Sequence, residues 1–318
     1  MDRLDAELVA PLKGFLEATG GGFNLTDIPA TRAGVDGMLA GIIAAAPATP
    51  GIVIEDRFVA SQEPDVAVPV RIYRPAAAAA SRPALLWMHP GGFVIGSVAM
   101  DELTLRQLAR TLDIVVVSVN YRLAPEHPFP AALEDCYGVL QWLGDKRSGL
   151  GVDPKRIAIG GASAGGGLAA ALGLVSRDWG GVRPVFQLLI YPDIDDSKLE
   201  PAGRNLPENL FWSRANTRTA WQAYLNGMAG TERVSEYAAP IRAENLSDLP
   251  AAFIGIGTVD MLITENLAYA ERLSRAGVDV SLAVYPGACH AFDVFAPASR
   301  VAQRLAADRD AALKRALR

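Results

Sequence analysis

The sequence predicts an α/β fold, a mostly parallel, doubly wound sheet of eight strands beneath a helical cap. Three observations point to it. From Gly51 onward, short β-rich runs alternate with helical patterns, the rhythm of successive βα units. Several runs (residues 114–119, 185–190 and 251–256) are almost continuously apolar, as expected of strands covered by helices on both faces. Two segments, residues 1–50 and 195–234, break the alternation and are read as cap, because insertions at the C-terminal ends of parallel strands sit above the ligand crevice. The catalytic domain is then expected over 51–194 and 235–318.

In chain order the strand candidates are GIVIEDRFVA, VAVPVRIY, PALLWMH, DIVVVSV, RIAIG, PVFQLLI, AAFIGI and DVSLAVY. Helical patterns fall at residues 101–112, 130–143, 164–175, 263–276 and 297–317. Gly277 directly after Arg275 and Ala276 is a helix stop signal. The run AAAAASR before the third strand reads as a solvent-exposed turn. The inserted stretch ENLFWSRANTRTAWQAYLNG is polar and bears tryptophans. No repeat of 20–50 residues is visible, which removes solenoids and propellers.

The 318 residues are half apolar and one fifth charged, a globular composition with ample material for a core. A net charge of -5 argues against nucleic acid, where phosphates demand a basic surface, and against anionic membranes. The opening MDRLDAELVA carries Asp2, Asp5 and Glu7 where a signal peptide needs positive charge and then an apolar core. The apolar stretch at 37–46 is about half of the ~20 residues that span a bilayer. The expectation is a soluble, cytoplasmic protein without a membrane span. Cys136 and Cys289 could form at most one bridge and no metal cluster; reduced thiols are expected.

The strongest chemical signal is Gly161-Ala162-Ser163-Ala164-Gly165, after a short apolar strand and before an Ala/Leu-rich helix. A sharp strand-to-helix turn needs glycines, holds its serine in strained geometry and exposes the hydroxyl. A phosphate loop is the alternative, but Gly160–Gly167 does not align as G-x-G-x-x-G from the strand end and no phosphate-binding lysine follows. A serine hydroxyl needs a base and an orienting acid, in the chain order Ser, Asp or Glu, His for this type of turn. Of His89, His127 and His290, only His290 follows Ser163. Asp260, directly after AAFIGIGTV, fits the acid; Asp193, Asp195 and Asp196 are runners-up, and Glu265 reads as a first-turn helix residue favoured by the macrodipole. The strand PALLWMH runs into Pro90-Gly91-Gly92-Phe93. That loop can offer the Gly91 and Gly92 amides, beside that of Ala164, to a tetrahedral oxyanion. His89 is read as bracing the loop.

With these motifs in place the chain resembles the hormone-sensitive-lipase-like esterases of the α/β-hydrolase fold, from about Gly51 to the C-terminus. The resemblance rests on His89–Phe93, the run NYRLAPEHPFPAA beginning at Asn120, Gly161–Gly166, Tyr191-Pro192, Asp260 and His290-Ala291-Phe292. It implies a scaffold role beneath the active site for Tyr121, Arg122, Glu126 and His127. It also implies short acyl chains and a homodimer paired through an edge strand. The chain departs from the family pattern at three positions. Pro90 replaces a glycine, Ala162 an aspartate, and Thr264 stands where a second aspartate is common.

The expectation is a serine carboxylesterase acting on small esters of short to medium chain, with no metal or organic cofactor. Phe211 and Trp212 of the cap are expected to touch the substrate. An amidase with the same triad and a non-catalytic ligand receptor on the hydrolase fold are the alternatives. Matched ester and amide substrates discriminate them.

Overall fold

A computed structural model describes residues 3–77, 79, 81–197 and 211–318. Residues 198–210 of the expected cap insertion, and positions 78 and 80 of the expected AAAAASR turn, lie outside the described residues. Each run of the sequence reading becomes a strand of one eight-stranded sheet: β1 (Ile52–Ala60), β2 (Ala67–Pro75), β3 (Arg82–Met88), β4 (Val115–Val119), β5 (Val152–Ala162), β6 (Phe186–Ile190), β7 (Ala251–Gly257) and β8 (Val280–Tyr285). Their spatial order is β1-β2-β4-β3-β5-β6-β7-β8. β1 and β2 are antiparallel, β2 is antiparallel to β4, and the remaining pairs are parallel.

The central strands are buried on both sides because successive side chains point to opposite faces. In β3, Ala84, Leu86 and Met88 enter one core, while Leu85 and Trp87 enter the other. The first core is closed by α4 (Ala131–Gly144) and α5 (Ala164–Asp178), the second by α3 (Glu102–Leu112) and α9 (Arg300–Ala316). Between these lie α6 (Arg214–Tyr224), α7 (Ile263–Arg275) and the single turn α8 (Phe292–Phe295). Gly277 follows α7 with φ of +83°, the left-handed stop that the sequence announced.

The chain leaves β3 for β4 on one side and reaches β5 on the other. A reversal of this kind opens a crevice at the C-terminal ends of the two strands. The glycine loop after β3 and the serine turn after β5 face each other there.

Two N-terminal helices, α1 (Ala6–Ala18) and α2 (Ile28–Ala45), precede the sheet. Asp5 and Asp27 cap them, accepting from the Glu7 and Ala30 amides. Arg32 of α2 fastens this layer to the core. Its Nε donates to the Val94 carbonyl at 2.7 Å and one Nη to the Ala124 carbonyl at 2.8 Å. The same guanidinium grips both oxygens of Glu126. Glu126 therefore joins the N-terminal helices to the rest of the chain, and is not only a brace beneath the site as the resemblance implied. Arg122 does act as an internal brace, pairing with the fully buried Asp135 at 2.8 Å. Phe15, Phe23, Phe211 and Phe295 form an aromatic cluster with ring centroids 4.4–5.6 Å apart. Among the described residues no helix is long and apolar enough to cross a membrane. Cys136 and Cys289 are buried free thiols.

Candidate active site

Ser163 links β5 directly to α5 with φ 54° and ψ -122°, a sparsely populated backbone state found where surrounding structure overdetermines it. The restraints are local. The Ser163 amide donates to the Ile190 carbonyl at 2.9 Å, and its own carbonyl accepts from Gly167 and Asp193 at 3.0 Å. Gly165 is dictated by close approach, because a Cβ there would stand 2.1 Å from the Met88 carbonyl oxygen.

The structure brings Ser163, His290 and Asp260 together from three strand ends. His290 Nε2 lies 2.9 Å from Ser163 Oγ, and His290 Nδ1 lies 2.8 Å from Asp260 Oδ2. The second Asp260 oxygen accepts from the Leu262 amide at 3.0 Å, so both oxygens are held. Backbone bonds from Thr258 to Tyr285 and from Val259 to Ala288 zip the acid loop to the histidine loop. All three side chains are buried. Burial pulls the His290 pKa down, but the charge and hydrogen bond of Asp260 outweigh it and leave the imidazole above its ordinary 6.5.

The other carboxylates considered for the acid have different partners. Asp193 accepts from Trp221 Nε1 at 2.9 Å, Asp196 is clasped by Arg242, and Asp195 accepts from Ser197. Glu265 does occupy the first turn of α7, but it is buried and accepts from the Ile194 amide at 3.0 Å. Burial raises the pKa of both Asp193 and Glu265. This buried pair, and the charge that Asp193 exerts on His290, was invisible in the sequence, because only the fold brings these residues together.

Gly91 and Gly92 occupy the loop after β3, with φ of +128° and +59°. The Gly91 carbonyl accepts from Val94 and Ile95, which turns the chain sharply. Under this loop His89 is fully buried, and burial holds its pKa down at about 4. The neutral ring donates Nδ1–H to the Pro90 carbonyl at 2.8 Å and stacks on Tyr121 at 4.1 Å. Tyr121 in turn donates its hydroxyl to the His89 carbonyl at 2.7 Å. Pro90 lacks an amide hydrogen but supplies the acceptor that orients His89.

Trp212 lies against the same loop. A Cβ on Gly92 would stand 2.7 Å from the Trp212 ring, whose Nε1 donates to Thr217 at 3.0 Å. Phe211 stacks on Phe15 at 4.4 Å within the aromatic cluster. In the sequence Tyr191 is marked only by the Tyr191-Pro192 pair. Its ring is edge-on to His290 at 4.8 Å, and its hydroxyl donates to Asp293 at 2.9 Å. Its one sequence signal was its place immediately after an apolar strand.

A family described as alpha/beta hydrolase fold matches residues 85–294. The chain is an α/β-hydrolase. This hydrolase is 40% identical over 215 residues to esterase LipI of Mycobacterium tuberculosis, covering 67% of either chain. It is 37% identical over 257 residues to carboxylesterase NlhH of the same species, covering 79% of either chain. The solved structure of a bacterial heroin esterase superposes with a TM-score of 0.92 at 37% identity, over 100% of this chain and 99% of that one. The hydrolase thus falls among the hormone-sensitive-lipase-like bacterial esterases, as a carboxylic ester hydrolase.

Proposed function

We propose that this carboxylic ester hydrolase cleaves short- to medium-chain esters through an acyl-enzyme on Ser163. The observation that carries the reading is the continuous hydrogen-bonded chain Ser163–His290–Asp260, at 2.9 and 2.8 Å. Ser163 Oγ attacks the ester carbonyl as His290 Nε2 takes its proton, while Asp260 holds the Nδ1–H tautomer and stabilises the imidazolium. The amides of Ala164, Gly91 and Gly92 receive the tetrahedral oxyanion. His290 then returns its proton to the leaving alkoxide, and water resolves the acyl-enzyme by the same route. No step calls for a metal or organic cofactor.

Phe211 and Trp212 are assigned to the acyl side of the cleft, where Trp212 already abuts Gly92. A chain-length series of p-nitrophenyl esters tests the assignment. Apolar burial adds about 0.8 kcal/mol per methylene until space runs out, so kcat/KM is expected to rise from acetate and peak at or below about eight carbons. Strong interfacial activation on emulsified long-chain triglycerides would overturn it.

The pH profile has a defined sign. An imidazolium cannot accept the serine proton, so kcat/KM falls as pH drops through the His290 pKa. Because Asp260 holds that pKa above the ordinary 6.5, the acid limb is expected to have its midpoint above pH 6.5. A profile flat between pH 5 and 8 would point to another base.

A further inference from the structure

Beside Tyr191, whose ring meets His290, lies a cavity of about 260 Å³. Its walls come from the C-terminal half of α2, the start of α3, and α8 with the loop after it. Ser163, His290, Gly91 and Gly92 do not line it. Tyr191 links the two places, its ring edge-on to His290 and its side chain lining the cavity.

The lining divides by chemistry. Leu39, Ile42, Ile43, Leu103, Val294 and Pro297 make an aliphatic wall, with Ile42, Leu103 and Val294 each more than a third exposed at its surface. Opposite them converge two carboxylates, Asp101 and Asp293, with the Trp87 and Tyr191 rings and Arg309. Asp101 Oδ2 accepts from Trp87 Nε1 at 2.7 Å, and Asp293 Oδ1 accepts from the Tyr191 hydroxyl at 2.9 Å. Each of these bonds occupies one oxygen of its carboxylate. The Arg309 guanidinium pairs with Asp310 at 2.8 Å, and its charge also acts on both cavity carboxylates, holding their pKa values below where burial alone would put them. The cavity surface thus presents two acids and one base, and that base is shared with Asp310.

We propose that this cavity binds a small organic cation, an ammonium group carrying an aliphatic or aromatic substituent, with the charge at Asp101 and Asp293. Three physical arguments select that class. An anion would face two carboxylates, whereas a neutral apolar guest would strip water from them without replacing it. A cation offers each carboxylate a donor and lies beside two electron-rich rings. Finally, burial and the nearby Asp293 push the Asp101 carboxyl up to about 7, a penalty that an adjacent positive charge reverses. At about 30 Å³ for each water-sized group, the volume holds about nine heavy atoms, enough for benzylammonium. The proposal stands apart from the ester reading, since no residue assigned to ester cleavage lines the cavity.

Isothermal titration of the full-length protein with benzylammonium, benzyl alcohol and benzoate tests it. Benzylammonium is expected to bind saturably at one site, with the isosteric alcohol and the anion at least roughly tenfold weaker. Asp101→Asn and Asp293→Asn should each weaken benzylammonium roughly tenfold. Leu103→Trp, which fills the cavity from its aliphatic wall, should abolish binding while ester turnover continues. Circular dichroism identifies folded variants, and Leu103→Trp serves if an aspartate variant does not fold. Equal binding of amine and alcohol, absence of benzylammonium binding, or binding indifferent to all the substitutions would overturn the proposal. So would benzylammonium that competes with ester and keeps its inhibition constant in Leu103→Trp, because the cation would then sit in the ester cleft.

Discussion

Replacing Ser163 by alanine is expected to lower kcat for ester hydrolysis by about 10⁴- to 10⁶-fold, the range seen when a triad nucleophile is removed. The substitution deletes one oxygen and little else. Alanine keeps the Cβ, and the three backbone hydrogen bonds that hold the turn at φ 54° do not involve the hydroxyl. The protein should therefore fold, with an unchanged circular dichroism spectrum. What is lost is the bond-forming atom and the partner of His290 Nε2 at 2.9 Å. Mass spectrometry with a fluorophosphonate probe gives an independent readout, with one adduct expected on the wild type and none on the variant. Near wild-type hydrolysis by a pure, folded Ser163→Ala protein would refute Ser163 as the nucleophile.

The second large effect is expected at Asp260. Asp260→Asn conserves size at a position only 1% exposed, so packing survives while chemistry changes. The carboxylate accepts two hydrogen bonds, from the Leu262 amide and from His290 Nδ1. An asparagine has one oxygen to offer. If the oxygen keeps the Leu262 amide, the NH₂ group faces Nδ1, drives the proton to Nε2 and leaves nothing there to accept from serine. A drop in kcat of about 10⁴-fold is the expected result. Loss of the Asp260 charge also removes what raises His290 above 6.5, so the residual activity should show its acid limb at lower pH than the wild type. A merely structural role would weaken turnover without moving that limb. More than about a tenth of wild-type kcat in a folded Asp260→Asn protein would shift the orienting role to another acid, with Asp193 the first to test.

Proline at Gly91 is a poor probe of the oxyanion loop, although it deletes an amide hydrogen. The loop holds Gly91 at φ +128°, and a Cβ there would stand 2.1 Å from the Ile95 carbonyl oxygen. Proline fixes φ near -65°, so the substitution would rebuild the turn as well as remove the donor.

By itself the sequence determined the parts whose signal is local. Each strand was a short β-rich run, and the observed limits differ from it by only a few residues. Strand identity depends on side-chain type and alternation along a few adjacent positions, which the chain displays directly. The Ser163 turn was legible for the same reason, as glycines, serine and helix formers are contiguous. His290 and Asp260 were picked out by chain order and by following strands, without any distance. Tertiary structure alone decided what depends on residues far apart in the chain. The antiparallel set of β2 against β4, and the β4-β3-β5 order that opens the crevice, arise from pairing between strands distant in the chain and leave no local mark. Arg32 and Glu126 meet across 94 positions, and neither residue type announces a latch. Asp193, Glu265, Asp101 and Asp293 are ordinary acids in sequence. Burial raises their pKa values, and desolvation is a property of the packed molecule that no single residue carries.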